Sequence, residues 1–374
     1  MSALAPRLLP WFARHGRTTL PWQTGDPYHV WVSEIMLQQT QVATVIPYFE
    51  RFIAAWPQPA ALAAAELDAV LHLWTGLGYY ARGRNLHRAA RQMVAEHGGR
   101  VPADAAALEA LPGIGRSTAG AILALGFGQR AAILDGNVKR VLARHFAVEG
   151  WPGRSAVVRR LWALAEEHTP TQHTGAYTQA IMDLGALVCL PRRPLCAACP
   201  LAGSCAARAE GRTAQLPTPR PRRTLPLRHT RMLVLTRAAD GAVLLERRPP
   251  TGIWGGLWCF PELDPHGDAP ADPAAPSPRL PAATGPVLPG PAIEHTFTHY
   301  RLRIQPLTAE LAIDDEPAGR MASLMDGGAR LWYKLGPCDD PPGRLGLAAP
   351  VRRLAPWLAD PAGRSPSDHQ ECEP

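Results

Sequence analysis

The sequence predicts a mainly α N-terminal half followed by an α+β C-terminal half, and three observations carry that expectation. From Leu4 to Ala209, apolar residues recur at helical spacing with short breaks at Pro, Gly and Asp, and strand-like alternation is absent. Gln215-Leu-Pro-Thr-Pro-Arg-Pro-Arg-Arg-Thr-Leu-Pro226 is Pro-rich, basic and aperiodic, which reads as a stiff linker. Beyond it, Met232–Thr236 and Ala242–Glu246 look like strands joined through Asp240-Gly241 as a hairpin. A chain of 374 residues is long enough for two such cores.

Bulk properties narrow the function class. The net charge is +7 and the pI is near 9.3, which favours a polyanionic partner; nearly all the positive charge is arginine, the only lysines being Lys139 and Lys334. The first seventeen residues lack the long apolar core of a signal peptide, and no apolar run approaches membrane-spanning length. A soluble cytoplasmic monomer without membrane contact is expected. Four of seven cysteines crowd into residues 189–205, a pattern of metal binding rather than of a secreted disulfide framework.

Taken in order, helices are expected over residues 28–56 (one or two), 60–74 and 83–97. Within the first lies Val30-Trp-Val-Ser-Glu-Ile-Met-Leu-Gln-Gln-Thr-Gln41, where Glu34 is the only acid between Asp26 and Glu50. Its helical neighbours Val30, Trp31 and Leu37 are apolar. A carboxyl on such a face is desolvated, its pKa rises, and it suits a general acid. The plainer alternative is a glutamate at the stripe's edge reaching solvent.

Gly76-Leu-Gly-Tyr-Tyr-Ala-Arg82 follows, with Arg84, Arg88 and Arg91 behind it. Aromatics beside glycine can wedge into a base stack while arginines meet phosphate; core tyrosines above a solvated basic face would give the same pattern. Next comes Leu111-Pro-Gly-Ile-Gly-Arg-Ser-Thr-Ala-Gly120. Gly113 and Gly115 permit a tight turn and leave backbone N–H groups bare at a helix start, a ready anion site. Twenty residues past Gly115, Asp135 opens another amphipathic run in Ile133-Leu-Asp-Gly-Asn-Val-Lys-Arg140. It fits a second reactive carboxylate and equally an N-cap. Further helices are expected over 138–146, 154–168 and 176–187.

Cys189, Cys196, Cys199 and Cys205 then surround a turn-rich Pro191-Arg-Arg-Pro194. Four thiolates so close in sequence can converge on one metal centre, and spacing alone admits zinc or a four-iron cluster.

These stretches together resemble the helix-hairpin-helix DNA glycosylase superfamily and, within it, the adenine glycosylase (MutY) family. The resemblance implies one [4Fe-4S] cluster on the four cysteines rather than zinc, within a glycosylase domain over residues 1–214. It implies Glu34 as acid and later base, Asp135 as stabiliser of an oxocarbenium-like sugar, and Asn137 as an orienting group. Gln39 and Tyr79 hold positions that enter the duplex, and Gly113, Ile114 and Gly115 hold those that grip a phosphate. Ser117, also on the DNA-facing hairpin, aligns with the lysine that attacks the sugar in the endonuclease III type; without an amine there, only the glycosidic bond should be cut. A serine in a helix first turn with no catalytic part fits as well.

After a linker over 215–228, the remaining half resembles the Nudix-like domain that recognises 8-oxoguanine in this family. The carriers are Gly252-Ile-Trp-Gly-Gly-Leu-Trp-Cys-Phe-Pro261 and His295-Thr-Phe-Thr-His-Tyr300. The lesion loop of the resemblance, Phe-Ser-His, reads here as Phe297, Thr298 and His299, threonine keeping the hydroxyl and adding a methyl. A Glu-rich Nudix box is missing, so pyrophosphate hydrolysis is not expected. The domain should span 229–358, with further strands near 300–311 and 330–335, a mobile loop at 264–291 and a disordered tail at 359–374.

The expected function is base excision repair: monofunctional removal of adenine from A:8-oxoguanine or A:G pairs in double-stranded DNA, by base flipping. A glycosylase/lyase for oxidised pyrimidines is disfavoured by Ser117 and by the second domain. A non-catalytic DNA-damage sensor would not require both Glu34 and Asp135.

Overall fold

The computed structural model describes residues 4–221, 224–249, 252–263, 286–311, 330–335 and 345–359. Contacts divide the chain into two compact units, Met1–Ala65 with Arg82–Arg222, and Glu66–Ala81 with Arg223–Pro374. Most of the loop expected at 264–291, and the tail beyond Ala359, lie outside the described residues.

The first unit is helical. Its elements are α1 (Ala5–His15), α2 (Pro27–Met36), α3 (Val42–Ala55), α4 (Pro59–Ala64), α6 (Ala81–His97), α7 (Ala105–Ala110), α8 (Arg116–Gly126), α9 (Gly136–His145), α10 (Ser155–His168), α11 (Thr174–Asp183) and α12 (Ala206–Ala209). The span 28–56 therefore holds two helices, and 60–74 is cut at Ala65. Start signals explain the local choices: Asp26 caps α2 by accepting from Tyr28 N at 2.8 Å, with Pro27 in the first turn. One apolar cluster joins α1, α9, α10 and α11 through Leu8, Trp11, Val138, Leu142, Leu161 and Ile181. Trp31, Ile35, Phe52, Leu86 and Met93 are buried on α2, α3 and α6. The helix α11 runs into a π-helical turn, Leu184–Val188, just before the first clustered cysteine.

The second unit is α+β. It takes the short helix α5 (Leu67–Leu73) from the N-terminal sequence and adds β1 (Leu227–Arg237), β2 (Val243–Arg247), β3 (Trp258–Cys259), β4 (Leu288–Pro289), β5 (Ile293–Thr296), β6 (Arg301–Leu311), β7 (Arg330–Tyr333) and α13 (Ala349–Ala359). The mixed sheet runs β3-β2-β1-β6-β4, with β5 also on β6 and β7 also on β2. β1 and β6 are parallel and the remaining pairs antiparallel. Alternation along β1 sends Met232 and Val234 into a core with Leu71, Val351 and Leu354, and Leu233 and Leu235 into another with Leu307 and Ala309. Both faces are thus covered, which is why β1 reads as a continuous apolar run.

Candidate active site

Glu34 sits on α2, partly buried, with no hydrogen bond to its carboxyl from any described residue. Burial, and secondly the charge of nearby Asp135, push its pKa up to about 8. Asp135 is the N-cap of α9: its Oδ1 accepts from Val138 N at 2.7 Å and its Oδ2 from Asn137 Nδ2 at 3.2 Å. Burial raises its pKa too, but both hydrogen bonds and the Arg140 guanidinium oppose the rise. The cap reading of Asp135 is seen directly, and capping leaves the carboxyl close to Glu34. The fold brings two carboxyls close and gives them unequal environments, Glu34 without a hydrogen bond from any described residue and Asp135 with two, the kind of difference that sets two carboxyl groups apart.

Asn137 in turn accepts at Oδ1 from Arg140 at 2.8 Å. Arg140 also donates to the carbonyls of Gly185 at 2.7 Å and Cys189 at 2.6 Å. A Cβ on Gly185 would lie 2.5 Å from Asn137 Cβ, so only glycine lets the π turn pass this close. The turn also follows Asp183, which is fully buried and clamped by Arg17 Nε and NH2 at 2.9 and 2.6 Å and by Gln179 at 2.9 Å.

Arg140, Arg144, Asp183 and Gly185 were not singled out in the sequence. A signal existed for the arginines: Asn137, Arg140 and Arg144 share one face of α9 at spacings of three and four, pointing inward. Nothing in the sequence marked Gly185.

The hairpin joins α7 to α8. Gly113 has φ +83°, and an added Cβ there would lie 2.9 Å from Asn85 Cβ. Gly115 caps α8 with ordinary φ and open space where a Cβ would be, which leaves room for a ligand to approach the backbone. Ile114 turns inward, 5% exposed, and gives its N–H to Leu111 O at 3.2 Å. Ser117 accepts from Leu134 N at 2.9 Å, bracing the residue before Asp135. Arg116 lies 4.0 Å above the Trp162 ring and pairs with Glu166, so its charge is already engaged.

Gln39, with φ +61°, is exposed on the turn between α2 and α3. Arg82 supports that turn: its NH1 donates to the carbonyls of Ile35, Met36 and Gln38 at 3.0, 2.8 and 2.6 Å. Arg82 is buried, which corrects its expected place among phosphate-facing arginines; Arg88 and Arg91 are exposed. In the second unit, Tyr79 has φ +47° and is 53% exposed, while Tyr80 packs against that unit's core. The core reading of this stretch thus holds for Tyr80, while Tyr79 is left exposed.

Cys189, Cys196, Cys199 and Cys205 all line one pocket with apolar walls, alongside Arg144 and Arg208. Among the described residues no group of three or more His, Cys, Asp or Glu closes around a single ion. An iron–sulfur cluster takes one cysteine thiolate per iron, four in all for a four-iron cluster. Burial pushes Cys199 up to about 11, so metal must displace that proton. Arg144 NH1 lies 3.4 Å from Cys189 Sγ and 2.6 Å from Leu190 O, a cation beside sulfurs that carry negative charge when ligated. The donor set fits a four-iron cluster.

The loop between β5 and β6 carries Phe297, Thr298 and His299. Phe297 points inward, with ring centroids 4.5 Å from His295, 5.0 Å from Tyr300 and 5.4 Å from Trp254. Thr298 and His299 stand exposed at the tip, 3.3 Å apart from Oγ1 to Nδ1. In the same unit, Glu262 is held by Arg248 and by Thr230 at 2.7 Å, and Glu246 by Arg330 at 3.0 Å.

A helical fold with a hairpin, a carboxylate pair and a four-cysteine pocket, followed by a mixed-sheet domain, defines a base-excision glycosylase with a Nudix-type appendage. Residues 32–167 match the HhH-GPD superfamily of base excision DNA repair proteins, and residues 232–356 match the NUDIX domain. A thermostable thymine-DNA glycosylase of known structure superposes with a TM-score of 0.51 at 28% identity, covering 55% of this chain and 95% of that one. The adenine DNA glycosylase of Buchnera aphidicola subsp. Baizongia pistaciae is 35% identical over 348 residues, 93% of this chain and 94% of that protein. The mouse adenine DNA glycosylase is 36% identical over 377 residues, covering 85% and 72%. This chain belongs to the adenine DNA glycosylase family of base excision repair enzymes. Among the described residues no helix is long and apolar enough to cross a membrane.

The Gly185–Asn137 contact makes a sharp prediction. Gly185→Ala is expected to displace Asn137 and slow adenine release on the order of 100-fold, since small misplacements near reacting groups cost that much. Single-turnover kinetics beside a circular-dichroism melt would check it; a rate within threefold of wild type would show the packing is irrelevant to catalysis.

Proposed function

We propose that this enzyme hydrolyses the N-glycosidic bond of adenine paired with 8-oxoguanine or guanine, leaving the strand uncut. The observation that carries the chemistry is the Glu34–Asp135 pair, one carboxyl pushed up to about 8 and the other held by hydrogen bonds from Val138 N–H and the Asn137 amide. Adenine leaves the stack, at a cost of a few kcal/mol, and enters the site as a flipped base. Glu34 gives its proton to the adenine ring as the C–N bond breaks, so the leaving group departs neutral. The Asp135 carboxylate faces the positive charge growing on the sugar. Water then adds, and Glu34 takes its proton back. Asn137 and Arg140 orient Asp135. Ser117 offers no amine for a Schiff base, which supports a monofunctional reaction.

The first unit would serve as the glycosylase domain, and the second as the reader of the opposing base. Gly113, Ile114 and Gly115 would form the phosphate-gripping turn, with Gln39 and Tyr79 entering the duplex. The four cysteines would hold one [4Fe-4S] cluster, which supplies a structural cross-link and a redox centre. Phe297, Thr298 and His299 would read 8-oxoguanine, the exposed tip touching the lesion and Phe297 anchoring the loop.

Single-turnover base release from duplexes with adenine opposite 8-oxoguanine, guanine or thymine tests this reading, with alkali added only after the reaction. Fastest release opposite 8-oxoguanine, with strand breaks only after alkali, is expected. Breaks without alkali, or no preference for 8-oxoguanine, would overturn it. Replacing Thr298 and His299 together by Ala should weaken discrimination of 8-oxoguanine from guanine more than it slows adenine release; equal loss on both duplexes would remove their recognition role.

A further inference from the structure

Residues 66–81 come from the middle of the helical sequence, yet they pack with the C-terminal unit. Leu71 on α5 is fully buried in that unit's core with Leu257, Trp258 and Val351. A Cβ on Gly346 would lie 2.8 Å from Leu71 Cβ, so backbone and helix meet there without a spacer. Asp68 pairs with Arg247 at 2.9 Å, and the Tyr80 hydroxyl donates to Leu347 O at 3.4 Å. The loop after α5 is braced at its own end by Trp74 Nε1 on Gly78 O at 3.1 Å.

The same core supports the Phe297 loop. Leu347 bridges to Trp258 on β3, and the next residue back, Leu257, donates to Trp254 O at 3.0 Å. The Trp254 ring contacts Phe297. Tyr79 and the Thr298–His299 tip are therefore both exposed outgrowths of one packed body.

We infer that the Gly76–Tyr80 loop is a working part of the C-terminal unit, so that reading the opposing base and placing Tyr79 are one mechanically coupled step. The inference rests on the proposed 8-oxoguanine recognition for its purpose, but its mechanical content does not. A rigid body shared by two contact points makes an error at one felt at the other, and the coupling must run in both directions.

Two measurements on the full-length protein test it. Leu71→Ala, a change on α5 and not in the Phe297 loop itself, should lower the ratio of single-turnover rates for A:8-oxoguanine over A:G by about tenfold, a coupling of ordinary size for linked sites. In the free protein, Arg247→Asp should speed amide hydrogen exchange over 74–80 by about tenfold without changing α8 or α9, as expected when one cooperative segment is loosened. Adding Asp68→Arg to Arg247→Asp should slow that exchange again. An unchanged ratio in Leu71→Ala, or unchanged exchange over 74–80 in Arg247→Asp, would overturn the coupling. A wild type lacking any 8-oxoguanine preference would instead sink the recognition reading, and the exchange experiment would still decide the coupling.

Discussion

Glu34→Gln should abolish adenine release and make the folded protein more stable. The variant keeps the side chain's shape and removes the proton that the leaving base needs, so turnover should fall by at least about 100-fold, the low end for loss of a positioned acid. The stability gain follows from linkage. An unfolded glutamate titrates near 4.5, whereas here the pKa is pushed up to about 8. Between those values the folded state holds more protons than the unfolded state, so the wild type loses stability as pH rises from about 4.5 to about 8. A tenfold difference in proton affinity between the two states is worth about 1.4 kcal/mol. Glutamine does not titrate, so the melting-temperature advantage of the variant should be small at about pH 5 and larger at about pH 8. Wild-type base release, for its part, should decline as pH rises through about 8. A variant that retains turnover would remove Glu34 from the mechanism. A stability difference that does not change with pH would mean that Glu34 is not desolvated as the fold implies.

Asp135→Asn separates capping from catalysis. Asparagine caps a helix about as well as aspartate, so the Val138 N–H stays satisfied and α9 should form normally. What disappears is the carboxylate that the proposed mechanism sets against the sugar. Loss of one electrostatic stabiliser commonly costs about 100- to 1,000-fold, and single-turnover release should fall by that much with duplex binding retained. The variant carries a second signature. Asp135 is one cause of Glu34's raised pKa, so its neutralisation should move the alkaline limb of any residual activity to lower pH. A rate within threefold of wild type would leave Asp135 as a cap and nothing more.

Legibility in the sequence followed chemistry that is local. Glu34 stood out because one acid interrupted an apolar helix face, and its raised pKa is the direct result. The glycine turn, the cap at Asp135 and the strand hairpin through Gly241, at φ +71°, are set by residues within a few positions of one another. Arg82 shows the opposite case. Its neighbours in sequence are tyrosine, glycine and more arginine, which suggested phosphate, yet its guanidinium meets carbonyls more than forty residues away. The same holds for Arg17 on Asp183, 166 residues apart in the chain.

The sequence alone determined the helical character of the first half and the main strands β1, β2, β6 and β7 of the second, where the halves divide in composition, and which side chains are chemically able to act. Periodicity, caps and turn residues are short-range physics, and a single chain displays them openly. Only the tertiary structure decided that Gly185 must be bare for Asn137 to fit, and that Arg140 links Asn137 to the carbonyl of Cys189. It alone placed residues 66–81 with the C-terminal core. Those outcomes depend on which surfaces meet after the chain has folded back on itself, and close packing between distant segments leaves no periodic trace in either one.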